Sequence, residues 1–241
     1  MKILVIPDIH LKPWMFERAA QIMRSGEAEQ AVCLMDIPDD WDEQGNIELY
    51  IRTFEKAFCF LREFPETLWC WGNHDLSYPW LRYESGYSLI AARIVREEIN
   101  EFCSRLPERR RLAYIHRIDD VLFMHGGLTE RFVRKITNRV RFSKSHGDYI
   151  DAVVDAVNSL DSGLIWENDS PLWFRPQIVS EKMFMSDQIL QVVGHTPVRN
   201  ISKNGSVISC DVFSADSRGK PFGSREFLLL DTVTWEYRGI R

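Results

Sequence analysis

The chain has 241 residues, 45% of them hydrophobic and 27% charged, with a formal net charge of −5. That length is enough to bury a sizeable core, and the composition is ordinary for a soluble globular protein. The negative balance excludes a general attraction to nucleic acid or anionic membrane, and no apolar run approaches the ~20 residues of a membrane span.

Lys2 to Ile6 reads as a buried strand, and Asp8-Ile9-His10 follows its carboxyl end. Pro13 through Ser25 reads as a helix that starts near a proline and ends at Gly26. A second strand, Ala31 to Met35, delivers Asp36 and Asp39, so strand, helix and strand form a βαβ unit of a parallel sheet. Residues 46–64 place Ile47, Tyr50, Ile51, Phe54, Phe58 and Leu61 at helical spacing, an amphipathic helix covering that sheet. Leu68 to Trp71 is a third strand, followed at once by Gly72, Asn73, His74 and Asp75. A turn residue, an amide, an imidazole and a carboxylate in succession serve no core. Asn73 can offer a neutral oxygen to a cation, and His74 can move a proton near neutral pH.

From Ser77 to Pro107 the chain is aromatic and then helical, with Ala91, Val95, Ile99, Phe102 and Leu106 on one face; it is expected to pack and to wall part of a site. Arg111 to Arg117 and Val121 to Met124 read as a hairpin joined at Asp119-Asp120, and His116 within it as a structural or surface histidine. His125-Gly126-Gly127 follows the second strand. Residues 131–146 are the one basic run, either a solvated helix face or an anion-attracting lip. Residues 149–160 look helical, and turn chemistry at 162–163 and 168–171 precedes Leu172-Trp173-Phe174-Arg175. Ile189 to Val193 is a further strand, ending in Gly194-His195-Thr196-Pro197. The runs Val207 to Cys210, Phe227 to Leu230 and Val233 to Tyr237 suggest more strands, many antiparallel.

Five strand tips thus carry Asp, His or Asn, and in sheets packed between helices ligands gather at that edge. The residue types suit one shared metal site. The five cysteines, Cys33, Cys59, Cys70, Cys103 and Cys210, lie mostly in apolar runs without a Cys-x-x-Cys pair. With no charged-then-apolar leader after Met1, the expectation is a cytoplasmic protein with free thiols.

The ordered set Asp-x-His, Asp-x-x-Asp, Gly-Asn-His-Asp, His-Gly-Gly and Gly-His-Thr resembles the calcineurin-like metallophosphoesterase superfamily. It is most similar to the phosphoprotein phosphatase branch and its bacterial and phage relatives. The resemblance implies an α/β (α+β) fold, a layered β-sandwich flanked by helices, with residues 1–241 forming one domain. It implies two divalent metal ions, manganese first and iron, zinc or nickel next. Asp8 and His10 would hold one ion, Asn73, His125 and His195 the other, and Asp36 would bridge them, since a carboxylate has two oxygens to share. His74 falls where the family has its general acid, and Asp39 where it has the carboxylate that orients this imidazole. Asp75 reads as local structure.

The chain also departs from the pattern. Gly-His-Thr-Pro replaces the Gly-His-x-His of the superfamily's nucleases, which favours the phosphatase branch. The family's Gly-Asp-x-x-Asp-Arg-Gly is here Met35-Asp36-Ile37-Pro38-Asp39-Asp40-Trp41, so a phosphate-clamping arginine is an acid. Arg175, in a Leu-Trp-x-Arg similar to that of bacterial relatives, is the candidate for the remaining clamp. The expected partner is a phosphorylated substrate, a phosphomonoester or phosphoprotein. The alternatives are a dinucleoside polyphosphate, in a longer site using Arg82 or the 131–146 run, and an inactive relative serving as a binding module.

Overall fold

The computed structural model describes residues 1–137, 149–215 and 220–241. Its elements are β1 (Lys2–Ile6), α1 (Trp14–Arg24), β2 (Gln30–Cys33), α2 (Ile47–Glu63), β3 (Leu68–Cys70), α3 (Asn73–Ser77), α4 (Ala92–Arg105), β4 (Leu112–Ala113), β5 (Ile115–Ile118), β6 (Val121–Met124), α5 (Glu130–Thr137), α6 (Tyr149–Asn158), α7 (Ser162–Ile165), β7 (Leu190–Val193), β8 (Ser202–Asn204), β9 (Val207–Ser209), β10 (Phe227–Asp231) and β11 (Tyr237–Ile240). One sheet has the order β11-β10-β1-β2-β3-β4 and the other β5-β6-β7-β9-β8. The strands β1 to β4 are mutually parallel, as are β6, β7 and β9. The later strands extend the first sheet, β10 antiparallel to β1 and β11 antiparallel to β10.

Side-chain alternation explains why the strand runs are apolar throughout. Ile3 and Val5 point between the sheets, where they meet Val121, Phe123, Leu190, Val192 and Ile208. Leu4 and Ile6 point the other way, onto Phe16 of α1, Phe54 of α2 and Val95 of α4. With both faces buried, no position in β1 beyond its first can be polar. The outer face of the second sheet is covered by α5, α6 and α7, with Leu122 and Met124 packed among Phe132, Val153, Val157 and Ile165. This is the layered, helix-flanked sandwich that the motifs imply.

Three local expectations change. The buried face of α2 is Tyr50, Thr53, Phe54, Ala57, Phe60 and Leu61, whereas Ile51 and Phe58 are half-buried. Phe58 lies on the flank of the helix, stacked on Phe102 of α4. The run 111–117 is divided between the two sheets: β4 pairs with β3 and β5 pairs with β6. Where the chain crosses at Tyr114, the Asn158 side chain accepts the N–H groups of Tyr114 and Ile115, each at 3.0 Å, so neither is stranded. Residues 232–236 form the turn between β10 and β11, and the strand begins only at Tyr237. Asp231 Oδ1 accepts from the N–H of Val233 at 2.9 Å and of Thr234 at 3.1 Å, an Asx turn that bends the chain before a ladder can form.

Candidate active site

The two sets of parallel strands bring their carboxyl ends to one cavity of about 490 Å³. Six of the nine candidate residues line it: His10, Asp36, Asn73, His74, Arg175 and His195. The other three, Asp8, Asp39 and His125, lie directly behind and are fully or almost fully buried. The backbone reaches this arrangement through left-handed conformations at His10, Met35, Asp36, Asp39 and His195, with φ between 42° and 70°. Residues other than glycine rarely adopt them, and they cluster where side chains must be aimed. Ladder-like bonds hold the β1 and β2 tips side by side, Ile9 N–H to Met35 O at 3.0 Å and His10 N–H to Asp36 O at 2.8 Å.

Two glycines are required by close approach. A Cβ on Gly72 would stand 2.0 Å from Asp36 Oδ1, and one on Gly194 would stand 2.0 Å from Asp8 Oδ1. Their absence lets the carboxylates pass to the neighbouring tips. There Asp36 Oδ1 accepts the His74 N–H at 2.9 Å and Asp8 Oδ2 the His195 N–H at 2.8 Å. Asp75 is the local brace that the sequence suggests: it accepts the N–H groups of Asp36, Ile37 and Gly72, tying the β2 tip to the β3 tip.

The donor atoms converge. His125 Nε2 lies 3.0 Å from Asn73 Oδ1, 3.0 Å from His195 Nδ1 and 3.1 Å from Asp36 Oδ2. A single ring nitrogen cannot serve three such neighbours by hydrogen bonding, but ligands around one small cation stand about this far apart. The second nitrogen of His125 donates to the Leu34 carbonyl at 3.1 Å, so Nε2 is the nitrogen that a cation would take in exchange for a proton. His10 is set the same way: Nδ1 donates to the Asp39 carbonyl at 2.8 Å, and Nε2 faces Asp36 Oδ2 at 3.8 Å. Asp36, His125 and His195, and separately Asp8, His10 and Asp36, can each place ligand atoms within 4.8 Å of one another. Asp8 Oδ1 and His195 Nε2 are buried and make no hydrogen bond among the described residues.

The electrostatics call for a cation. Burial acts against charge on His125, yet Asp36 and Asp8 outweigh it and raise its pKa to about 9. Burial, followed by the neighbouring Asp211, pushes the Asp8 carboxyl up. Buried carboxylates without sufficient counter-charge are costly, and divalent ions supply it.

His74 stands beside these donors. Its Nδ1 donates to Asp39 Oδ2 at 2.8 Å. Burial opposes the imidazolium, but Asp36 and Asp39 prevail and the pKa is raised. The other oxygen of Asp39 accepts from Tyr50 at 3.1 Å and from Tyr78. Arg175 is half-buried and donates to the His195 carbonyl at 2.6 Å and to Thr196 Oγ1 at 3.2 Å.

Four contributors are missing from the sequence reading. Asp211, 1% exposed, lines the cavity just past the end of β9; it obeys the same strand-tip rule and could have been found by it. Tyr50 and Tyr78 look like core aromatics until Asp39 is seen between them. Lys12 also lines the cavity, donating to the His10 carbonyl at 3.0 Å with Asp40 Oδ2 3.6 Å away, so the acid at position 40 is matched by a cation from another loop. Other expected cations lie elsewhere. Arg82 is exposed over the Trp166 ring. In the described part of the basic run, Arg131, Arg134 and Lys135 pair with Glu181, Glu130, and Glu167 and Asp169. These residues form a solvated helix face; 138–146 lie outside the described residues. His116 is structural, its Nε2–H donating to the Trp69 carbonyl at 3.0 Å.

Comparison with solved structures gives the fold a context. A cold-active protein-tyrosine phosphatase from a psychrophilic Shewanella superposes with a TM-score of 0.59 at 21% identity, over 100% of this chain and 80% of that one. A hypothetical protein from Pyrococcus horikoshii superposes with a TM-score of 0.50 at 12% identity, over 100% and 87%. No curated protein matches the chain. The family model for calcineurin-like phosphoesterases matches residues 1–230, from before the first tip into β10. The chain therefore belongs to the calcineurin-like phosphoesterase family, phosphoric ester hydrolases that work with divalent metal ions.

Proposed function

We propose that the enzyme hydrolyses phosphate monoesters with two divalent ions, manganese first. Asp8 and His10 hold one, Asn73, His125 and His195 the other, and Asp36 lies between them. The observation that carries this reading is the meeting of His125 Nε2 with three other donor atoms at 3.0–3.1 Å, beside a second donor group that shares Asp36. Bound there, such a pair lowers the pKa of a water and neutralises charge on the phosphoryl oxygens. His74, aligned through Nδ1 by Asp39, offers its other nitrogen to the cavity and protonates the leaving oxygen. Arg175 and Lys12 are the cavity-lining cations that grip the phosphate.

The mouth favours a monoester over a dinucleoside polyphosphate. The cavity lining also includes Asp42 and Glu84, which would repel a leaving group bearing further phosphates. The intact donor set disfavours an inactive binding module. The free cysteines accord with a reducing cytoplasm, and no helix of the described residues is long and apolar enough to cross a membrane. The test is protein stripped by chelator and reconstituted with Mn²⁺. It should bind two ions per chain and turn over phenyl phosphate faster than a dinucleoside tetraphosphate. Saturation at one ion, or the reverse order of substrates, refutes the proposal.

A further inference from the structure

We propose that Trp41 is a platform for the leaving group, and that the enzyme selects monoesters whose leaving group is a planar, uncharged aromatic ring. This rests on the monoester reading above and extends it to a substrate class, the aryl phosphates.

Position 41 carries the largest of the side chains, directly after Asp39 and Asp40 at the tip of β2. Trp41 is 49% exposed, more than any other tryptophan of the chain. Its open face belongs to the cavity wall and not to the outer surface alone. It is not a loose side chain: its Nε1–H donates to Ser85 Oγ at 2.8 Å, which ties it to the loop after α3. Its ring centroid stands 5.6 Å from that of His74, edge to face, and 5.4 Å from that of His10. His74 is the group that meets the leaving oxygen, so whatever is attached to that oxygen must lie along Trp41.

The rest of the wall narrows the class. Asp42 and Glu84 line the same cavity as Trp41 and Ser85. Carboxylates disfavour an anionic leaving group, and an indole face rewards a flat apolar one. A ring bonded directly to the ester oxygen reaches Trp41; an alkyl group offers it less area and no π-face. Such a ring occurs both in small aryl phosphates and in phosphotyrosyl side chains.

The test uses the Mn²⁺-reconstituted enzyme, Trp41→Gly and Trp41→Phe, with metal content measured on each. Phenyl phosphate and a phosphotyrosyl peptide are the aryl substrates; glycerol phosphate and a phosphoseryl peptide are the alkyl ones. Trp41→Gly should lower the aryl-to-alkyl ratio of kcat/KM about tenfold, and Trp41→Phe should keep most of it. Aryl esters are intrinsically more reactive, so binding is read separately with benzylphosphonate and ethylphosphonate, which have no leaving group. Benzylphosphonate should bind the parent more tightly than ethylphosphonate in a calorimetric titration, and its advantage should disappear in Trp41→Gly. Equal losses on both classes, or an unchanged phosphonate ratio, overturn the platform. A parent enzyme that hydrolyses no monoester sinks the monoester reading instead, and the phosphonate ratio still decides on Trp41. The order of phenyl phosphate and phosphotyrosyl peptide tells which source the platform serves.

Discussion

Asp36 and His74 differ in what each can lose. Asp36 Oδ2 belongs to both donor groups, so Asp36→Asn should abolish activity through loss of metal, seen by elemental analysis. His74 meets the donors through its backbone N–H on Asp36 and edge to face against the His10 ring, without placing a ring nitrogen in either donor group, and His74→Asn should keep the ions and lower turnover. An empty site in His74→Asn would reverse these roles. At Gly194 a single methyl would collide with Asp8 Oδ1 at 2.0 Å; Gly194→Ala should weaken metal binding at least tenfold in a calorimetric titration while His74 stays in place. The cations are tested by Lys12→Met and Arg175→Lys. The second keeps a donor for the His195 carbonyl but loses the planar fork. Each removes charge-assisted contacts worth roughly 1.5–3 kcal/mol, a ten- to hundredfold loss in kcat/KM. Inorganic phosphate should inhibit each variant correspondingly less, with metal content retained. Because Asp40 sits beside Lys12, Asp40→Arg would set two cations together and is no route to better monoester turnover.

At the scale of elements, strand and tip are legible together because a strand buried on both faces must be apolar and a catalytic tip must not be. That contrast marks Asp8, Asp36, Asn73, His125 and His195 without a structure. The same rule reaches Asp211 once Val207 to Cys210 is treated like the others. It does not reach Lys12, whose partner Asp40 belongs to a different loop, or the change of sheet at Tyr114, which depends on Asn158 on a distant helix. His116 sits where the sheets meet, donating from β5 to the Trp69 carbonyl of β3. Burial lowers its pKa from 6.5 to about 4. The folded state therefore keeps the imidazole neutral while the unfolded chain takes up a proton below pH 6.5. Stability present above pH 6.5 is lost as the pH falls toward 4, by about 2 kcal/mol at pH 5. His116→Gln keeps a donor and cannot titrate. Its melting temperature should fall less than the parent's between pH 7.5 and pH 5, by about 4–8 °C; parallel falls would mean that His116 titrates normally.

For the whole molecule, the candidate metal site is also the seam between the sheets. Asp8 and Asp36 come from the first sheet, His125, His195 and Asp211 from the second, and the three carboxylates are each 1% exposed. Hydrophobic packing between the sheets brings these charges together, and burial raises the pKa of both Asp8 and Asp211. Ions that bind only the folded arrangement stabilise it by mass action, about 4 kcal/mol for each one present at a thousandfold excess over its Kd. In a chain of this size, that is roughly 8–16 °C in melting temperature per ion. EDTA should therefore lower the melting temperature by at least about 10 °C, and Mn²⁺ should restore it. Asp36→Asn supplies the control: its Oδ1 can still accept the His74 N–H, while the charge shared by both donor groups is gone. Without metal it should melt below the parent without metal, because Asp36 is the counter-charge of His125 and His74, and Mn²⁺ should raise it little. A parent enzyme that melts at the same temperature with and without EDTA would show that the seam is held by packing alone.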